Sequence, residues 1–150
     1  MIDFILRKVI RRGFPELVRK KFVLSVGDYD DWMFYEPAGE GRGSYVIGVD
    51  KSLVGAPRRV IAGCFAHELA HIVRDSRMGR CRLNRAWSLY FSSAAFRIRD
   101  ERETDREAIV RGYGPELRAL MLFGRARGYR WDREDGLTLP EVHRMGWWTP

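Results

Sequence analysis

The pentapeptide His67-Glu68-Leu69-Ala70-His71 contains the residues of this chain that are best suited to chemistry. On an α-helix, His67 and His71 lie one turn apart on the same face, with Glu68 beside them. Two neutral imidazoles in this arrangement can bind one Zn²⁺, next to a carboxylate that accepts a proton from a polarised water molecule. The chain holds three histidines, and two of them are in this motif. We therefore expect His67 and His71 to be metal ligands and Glu68 to be a general base.

A catalytic zinc site usually has a third protein ligand, and Glu101 is the best candidate for it. The metzincin pattern, in which a third histidine stands six residues beyond the second, is absent because residues 72–77 are Ile-Val-Arg-Asp-Ser-Arg. Glu101 and Asp105 lie one turn apart on a later predicted helix. We expect Glu101 to bind the metal and Asp105 to accept a hydrogen bond from the outer N–H of a ligand histidine, which fixes the ring.

Other assignments of the third ligand remain open. A different helical register would bring Glu103, Asp105 or Glu107 to the metal, and His143 is the remaining histidine. Alternatively, residues 99–111 form only a solvated helix face, on which oppositely charged side chains pair at a spacing of three or four residues.

Apolar periodicity and capping signals predict an α+β fold. The predicted strands are 22–26, 31–35 and 45–49, with a loop from Pro37 to Gly43. The predicted helices are 3–12, 15–21, 57–75, 84–111 and 115–125, followed by a terminal helix from a Thr138–Glu141 capping box to Gly146. We expect one domain over residues 1–150, in which a small three-stranded sheet packs on the motif helix and on the helix that bears Glu101. Its catalytic core would span about 45–112, and 115–150 would be a C-terminal helical segment.

The composition indicates a folded protein without a membrane span. The chain has 150 residues, enough to bury a core, and no apolar run long enough to cross a bilayer. Residues 1–12 are a poor secretory signal because charged side chains interrupt a short apolar run. We therefore expect a cytoplasmic location. Cys64 and Cys81 are the only cysteines, so neither a thiolate zinc site nor a disulfide framework is indicated.

The net charge of +7 suits either a solvated basic surface or contact with an acidic partner. Between residues 125 and 133 four arginines alternate with Tyr129 and Trp131, a pattern typical of stacking on nucleic-acid bases. Asp132, Glu134 and Asp135 dilute this basic cluster. Nucleic acid is therefore a weakly indicated partner.

The order of strand 45–49, a helix with H-E-L-A-H and a second helix with E-x-x-x-D resembles the gluzincin class of zinc metallopeptidases. The likeness is closest to the very small cytosolic minigluzincin-type peptidases and to the soluble core of larger membrane-bound gluzincins, over roughly residues 45–112. It implies a zincin-like fold with one Zn²⁺. In that family the strand before the motif helix forms the upper rim of the cleft and pairs with an extended substrate, a known mode of peptide recognition. The resemblance assigns this role to residues 44–49, which include Tyr45, Val46, Ile47, Gly48 and Val49.

The resemblance implies a zinc-dependent metalloendopeptidase that hydrolyses peptide bonds of a peptide or protein substrate through a metal-activated water. An extra donor normally stabilises the oxyanion, and His143, Tyr113 and Tyr90 are the candidates. Two alternatives remain. One is a regulatory protein on the same scaffold, which binds or cleaves one partner and is recruited to nucleic acid by its basic surface. The other is a latent or inactive zinc-binding protein. In a latent protein the aromatic C-terminal tail (Trp147-Trp148) would fold back over the cleft, whereas an inactive one would bind the metal only structurally.

Overall fold

The structure, a computed structural model, describes residues 1–38, 43–132 and 134–145 and confirms the α+β class. Its three strands are β1 (Lys21–Gly27), β2 (Met33–Pro37) and β3 (Ser44–Asp50). They form one sheet in the order β1-β3-β2, in which β1 is parallel and β2 antiparallel to β3. Within these residues, β3 is therefore the central strand and β2 an edge strand.

The described part of the chain also contains six α-helices. They are α1 (Ile2–Gly13), α2 (Arg58–Ser76), α3 (Arg80–Ser92), α4 (Ala94–Ala108), α5 (Gly114–Arg125) and α6 (Leu139–Met145). A π-helical turn, Ile109–Tyr113, joins α4 to α5. None of these helices combines the length and apolar content that crossing a bilayer requires. Residues 39–42 of the loop predicted from Pro37 to Gly43 lie outside the described residues, as do Arg133 and the tail 146–150 with Trp147 and Trp148.

Helix α2 carries the pentapeptide through the centre of the protein. It packs against α1, α4, α5 and β2, so its apolar side chains are buried on several sides. Phe65, Leu69 and Ile72 are fully buried, and they hold the helix in one rotational setting. That setting turns His67, Glu68 and His71 towards one cavity.

Two helix predictions are wrong. Residues 15–21 form only a 3-10 turn at Pro15–Leu17, because the chain enters β1 at Lys21. The predicted helix 84–111 is two helices, because Ser93 has an extended backbone and its Oγ accepts a hydrogen bond from Phe96 N at 3.3 Å. Ser93 is thus the N-cap of α4, a role for which serine is well suited. The break lets α3 fold back beside α4 and form a wall of the cavity.

Gly63 fixes the approach of α2 to α5. A Cβ at Gly63 would lie 2.5 Å from the backbone oxygen of Glu116 on α5. We expect Gly63→Ala to destabilise the protein by about 1–3 kcal/mol, because neither backbone can yield without separating the helices. Chemical denaturation measures this change. Gly55→Ala, where a Cβ would meet nothing within 4 Å, should leave the stability almost unchanged; an equal loss in both variants would contradict this account.

Candidate metal centre

Three side chains from α2 and α4 converge with their ligand atoms on one point. His67 Nε2 lies 3.2 Å from His71 Nε2 and 3.0 Å from Glu101 Oε2. His71 Nε2 lies 3.5 Å from Glu101 Oε1. Ligands at about 2.0–2.1 Å from a tetrahedral Zn²⁺ are roughly 3.3 Å apart, so these separations fit one ion. Among the described residues, His67, His71 and Glu101 form the one cluster of His, Cys, Asp or Glu side chains that could hold a metal ion.

Hydrogen bonds on the outer ring nitrogens orient both histidines. Asp105 Oδ1 lies 2.9 Å from His67 Nδ1, as the sequence led us to expect. Thr104 Oγ1 lies 3.1 Å from His71 Nδ1 and donates to the backbone oxygen of Asp100, so it accepts from the His71 ring. Because both Nδ1 atoms are used in this way, the Nε2 atoms are left to face the metal position.

Thr104 was not among the residues predicted for the site, although its position next to Asp105 on α4 is a usable signal. Arg74 donates to Thr104 Oγ1 and pairs with Asp100 at 2.9 Å, which binds α4 to the end of α2. Glu101 and Asp105 are buried on the same helix. Helical spacing therefore sets the relative positions of Glu101, Thr104 and Asp105.

The second oxygen of Asp105 binds the C-terminal segment. Leu137 N donates to Asp105 Oδ2 at 2.8 Å, and Gly136, with a φ of 135°, lies against the same oxygen so closely that a Cβ would overlap it. Arg102 on α4 also binds the backbone oxygen of Gly136 and pairs with Glu141 at 2.7 Å. The segment before α6 is thus attached directly to the histidine-orienting carboxylate.

Metal affinity should rise with pH, because His67 must lose a proton to bind. Burial lowers the pKa of His67, but hydrogen bonds and charges from Asp105 and Glu101 outweigh it and hold the pKa well above its usual value. Since a raised pKa means that the free site keeps this proton at neutral pH, Zn²⁺ binding should release it. Calorimetric titrations between about pH 6 and pH 8 should show an affinity that increases by up to about tenfold per pH unit. An affinity independent of pH would contradict this.

Glu68 lies in the same cavity as the three candidate ligands. The side chain is 9% exposed, and among the described residues its carboxylate has no hydrogen-bonding partner. Burial raises the pKa of Glu68 to about 7, which is suited to a group that takes and returns a proton near neutral pH. Burying a carboxylate with no hydrogen-bonding partner lowers the stability of the fold, so such a group points to a role in ligand binding or in a reaction.

The cavity has a volume of about 610 Å³ and is bounded by β2 on one side and by α3 and α4 on the other. Asp75, at the end of α2, ties the two sides together. It accepts hydrogen bonds from Tyr35 on β2 at 2.5 Å and from Trp87 on α3 at 2.9 Å. The Tyr35 ring also stacks on His71, with 6.0 Å between the ring centres. Asp75, Tyr35 and Trp87 were not predicted as site residues, because they meet only through tertiary packing.

The assignment of β3 as the substrate-binding strand is wrong. Tyr45, Val46, Ile47, Gly48 and Val49 pair with β1 on one side and β2 on the other, so β3 has no free edge for a peptide.

The free edge beside the cavity belongs to β2. Asp50 N bonds to Trp32 O, and Ala38 N bonds to Ser44 O, so the even-numbered residues of β2 face β3. The backbone groups of Met33 and Tyr35 therefore face outwards along the cavity side.

Two of the three candidates for the oxyanion donor are also misplaced. Tyr113 is buried and donates its hydroxyl to the backbone oxygen of Val9, and its ring stacks on Phe14. His143 is exposed on α6 and does not line the cavity. Tyr90 does line it, and its hydroxyl donates to Glu101 Oε1. Of the three candidates, only Tyr90 is at the site.

The aromatic residues of the arginine cluster face the cavity. Tyr129 and Trp131 pack on Trp32, with ring centres 5.9 Å and 6.3 Å away. The same cavity is lined by many carboxylates, which repel a polyanion. This placement argues against stacking of these two rings on nucleic-acid bases.

In comparison with known proteins, no family model, no curated protein and no solved structure matches this chain. An assignment of function therefore depends on the side chains of the site and on their geometry.

Proposed function

We propose that this chain is a zincin-like metallopeptidase that hydrolyses peptide bonds with one Zn²⁺ held by His67, His71 and Glu101. The observation that carries the proposal is the arrangement inside one cavity. The Nε2 atoms of His67 and His71 lie 3.2 Å apart and each lies within 3.5 Å of a Glu101 oxygen, beside the buried carboxylate of Glu68, which has no hydrogen-bonding partner in the described part of the chain. A purely structural zinc site is usually closed by four protein ligands and needs no adjacent base.

The residues around the three ligands have distinct roles in this proposal. A Zn²⁺ bound there would lower the pKa of a water molecule and polarise a peptide carbonyl. Glu68 accepts the proton of the attacking water and delivers it to the leaving amine. Asp105 and Thr104 hold the two imidazoles in the tautomer that leaves Nε2 free. Tyr90, whose hydroxyl now bonds Glu101, is the nearest candidate to donate to the developing oxyanion.

An extended substrate would bind along β2. The outward backbone groups of Met33 and Tyr35 can pair with a peptide strand, which would bring its scissile bond across the cavity. Pro37 has no N–H to offer and ends this edge. The strand edge gives affinity without selecting a sequence, because it bonds only the peptide backbone.

Removal and return of the metal test the proposal. Protein treated with a chelator and dialysed should not cleave casein or a mixed peptide library, and one equivalent of Zn²⁺ should restore cleavage. Mass spectrometry of the products identifies new peptide termini. Stoichiometric zinc binding without turnover on any substrate would overturn the proposal and favour the inactive zinc-binding alternative.

A further inference from the structure

The cavity concentrates negative charge in a chain that is positive overall. Ten carboxylate side chains line it, which is half of the 20 in the chain. Of the 27 lysines and arginines, only Arg97 is among the described residues that line it. A bound divalent cation leaves most of this charge uncompensated. A cleft of one charge with protein walls focuses the field and attracts ligands of the opposite charge.

Aromatic rings form one end of the cavity. Gly128, with a φ of 83°, ends the turn after α5, and Tyr129 N bonds back to Gly124 O at 3.0 Å. This reversal, typical of helix C-termini, places Tyr129 and Trp131 against Trp32. A Cβ at Gly124 would lie 2.7 Å from Trp131 and 2.9 Å from Trp32, so the glycine is needed for this packing.

Carboxylates from two chain segments flank these rings. Asp31 precedes β2, whereas Glu134 and Asp135 follow the turn, and all three line the cavity. Asp135 accepts hydrogen bonds from Tyr129 Oη and Asp132 N. Burial, followed by the charges of Asp135 and Asp31 among others, raises the pKa of Tyr129 to about 12, in keeping with their proximity. Within the described residues, Asp31 and Glu134 form no ion pair.

A second observation points to a ligand in this cavity. Glu68 is more than nine-tenths buried, has no hydrogen-bonding partner within the described residues and lines the same cavity as the aromatic and acidic end. His67, His71 and Glu101, whose ligand-type atoms converge, also line this cavity.

We propose that Asp31, Trp32, Tyr129, Trp131, Glu134 and Asp135 form a subsite for a cationic side chain of the substrate, and that the cleft selects arginine-containing peptides. The inference rests on the proposed function, because it names the substrate class of the same site. The planar guanidinium is the best fit: it stacks on aromatic faces while its N–H groups bond carboxylates. It is also less strongly hydrated than an ammonium and so loses less on entering the cavity.

Binding of matched peptides tests the subsite independently of hydrolysis. The probes are two labelled extended peptides with arginine or its neutral isostere citrulline at every other position, so that successive probe side chains share one face. Fluorescence anisotropy with the zinc-loaded Glu68→Gln protein should show about tenfold or more tighter binding of the arginine peptide, and the difference should shrink with added salt. Equal affinity for the two peptides would overturn the subsite.

Substitutions locate the preference in the cavity. The double variant Asp31→Asn/Glu134→Gln should lose most of the arginine-over-citrulline ratio, because both charges are exposed to the ligand and have no ion-pair partner of their own among the described residues. The control Asp28→Asn/Glu103→Gln removes the same charge from side chains paired with Lys51 and Arg106 outside the cavity, and should keep the ratio. A ratio that falls equally in both variants would mean that overall charge, not this subsite, attracts the peptide.

The outcomes separate this inference from the proposed function. Selective binding of the arginine peptide by a protein that never cleaves it would keep the subsite and reject the peptidase. Zinc-dependent cleavage with equal kcat/KM for the arginine and citrulline peptides would keep the peptidase and reject the subsite.

Discussion

Replacing Glu68 by glutamine should lower kcat for peptide hydrolysis by about 10²–10⁴-fold while zinc binding stays unchanged. The amide fills the same space but cannot accept the proton of the attacking water. Burial raises the pKa of the native carboxyl to about 7, and a bound Zn²⁺ would lower it again, so the native group is ionised and basic at neutral pH. The glutamine variant removes this function without adding a charge or a cavity.

Zinc content and steady-state kinetics, measured on the same preparation, check this result. KM should change little, because Glu68 acts on the reacting water and not on the substrate backbone. The Glu68→Gln protein should retain one equivalent of zinc. Full hydrolytic activity in this variant would rule out Glu68 as the base, whereas loss of zinc together with activity would show that the side chain supports the metal site instead.

Glu101→Gln should weaken zinc binding by more than about 100-fold, because removal even of a group that only orients a ligand costs roughly 10–100-fold. The carboxylate has two roles that an amide fills poorly. It is the proposed third ligand, with oxygens 3.0 Å from His67 Nε2 and 3.5 Å from His71 Nε2. It also accepts the hydroxyl of Tyr90. Competition with a chromophoric chelator measures the loss of affinity.

Glu103→Gln is the matched control for this experiment. Glu103 lies two residues further along α4, is exposed, and pairs with Arg106 at 2.6 Å on the outer face. The same chemical change there should leave zinc affinity within about twofold, because exposed ion pairs contribute little. Zinc held at native affinity by the Glu101→Gln protein would remove Glu101 from the ligand set.

The arrangement of the candidate metal ligands was predictable from the sequence because helical geometry determines it locally. His67, Glu68 and His71 lie within one turn or so of α2, and Glu101 and Asp105 are four residues apart on α4. Their relative positions follow from 3.6 residues per turn once both helices form. What the sequence alone left open was how α4 approaches α2, and burial of Glu101 and Asp105 against α2 answers it.

The substrate side of the cavity was not predictable in the same way. The spacing of strands along the chain does not give their order in the sheet. Strand β3 pairs directly with β1, although β2 lies between them in the sequence. The substrate-pairing role expected of β3 is therefore proposed for β2, which has the free edge. Likewise, Asp75 contacts Tyr35, 40 positions away, and Trp87, 12 positions away. Such contacts leave no periodic pattern in the sequence that would predict them. The break at Ser93 depends on one side-chain hydrogen bond that competes with a strong helical pattern.

The two oxygens of Asp105 join the candidate metal site to the C-terminal segment. One oxygen bonds His67 Nδ1 and the other accepts from Leu137 N, so a single carboxylate contacts both partners. A Zn²⁺ bound at the proposed site would fix the His67 ring and with it this carboxylate, and would thereby favour the docked form of the segment that leads into α6. By reciprocity, any event that releases residues 136–138 would then weaken metal binding by the same free energy with which the bound metal would strengthen docking.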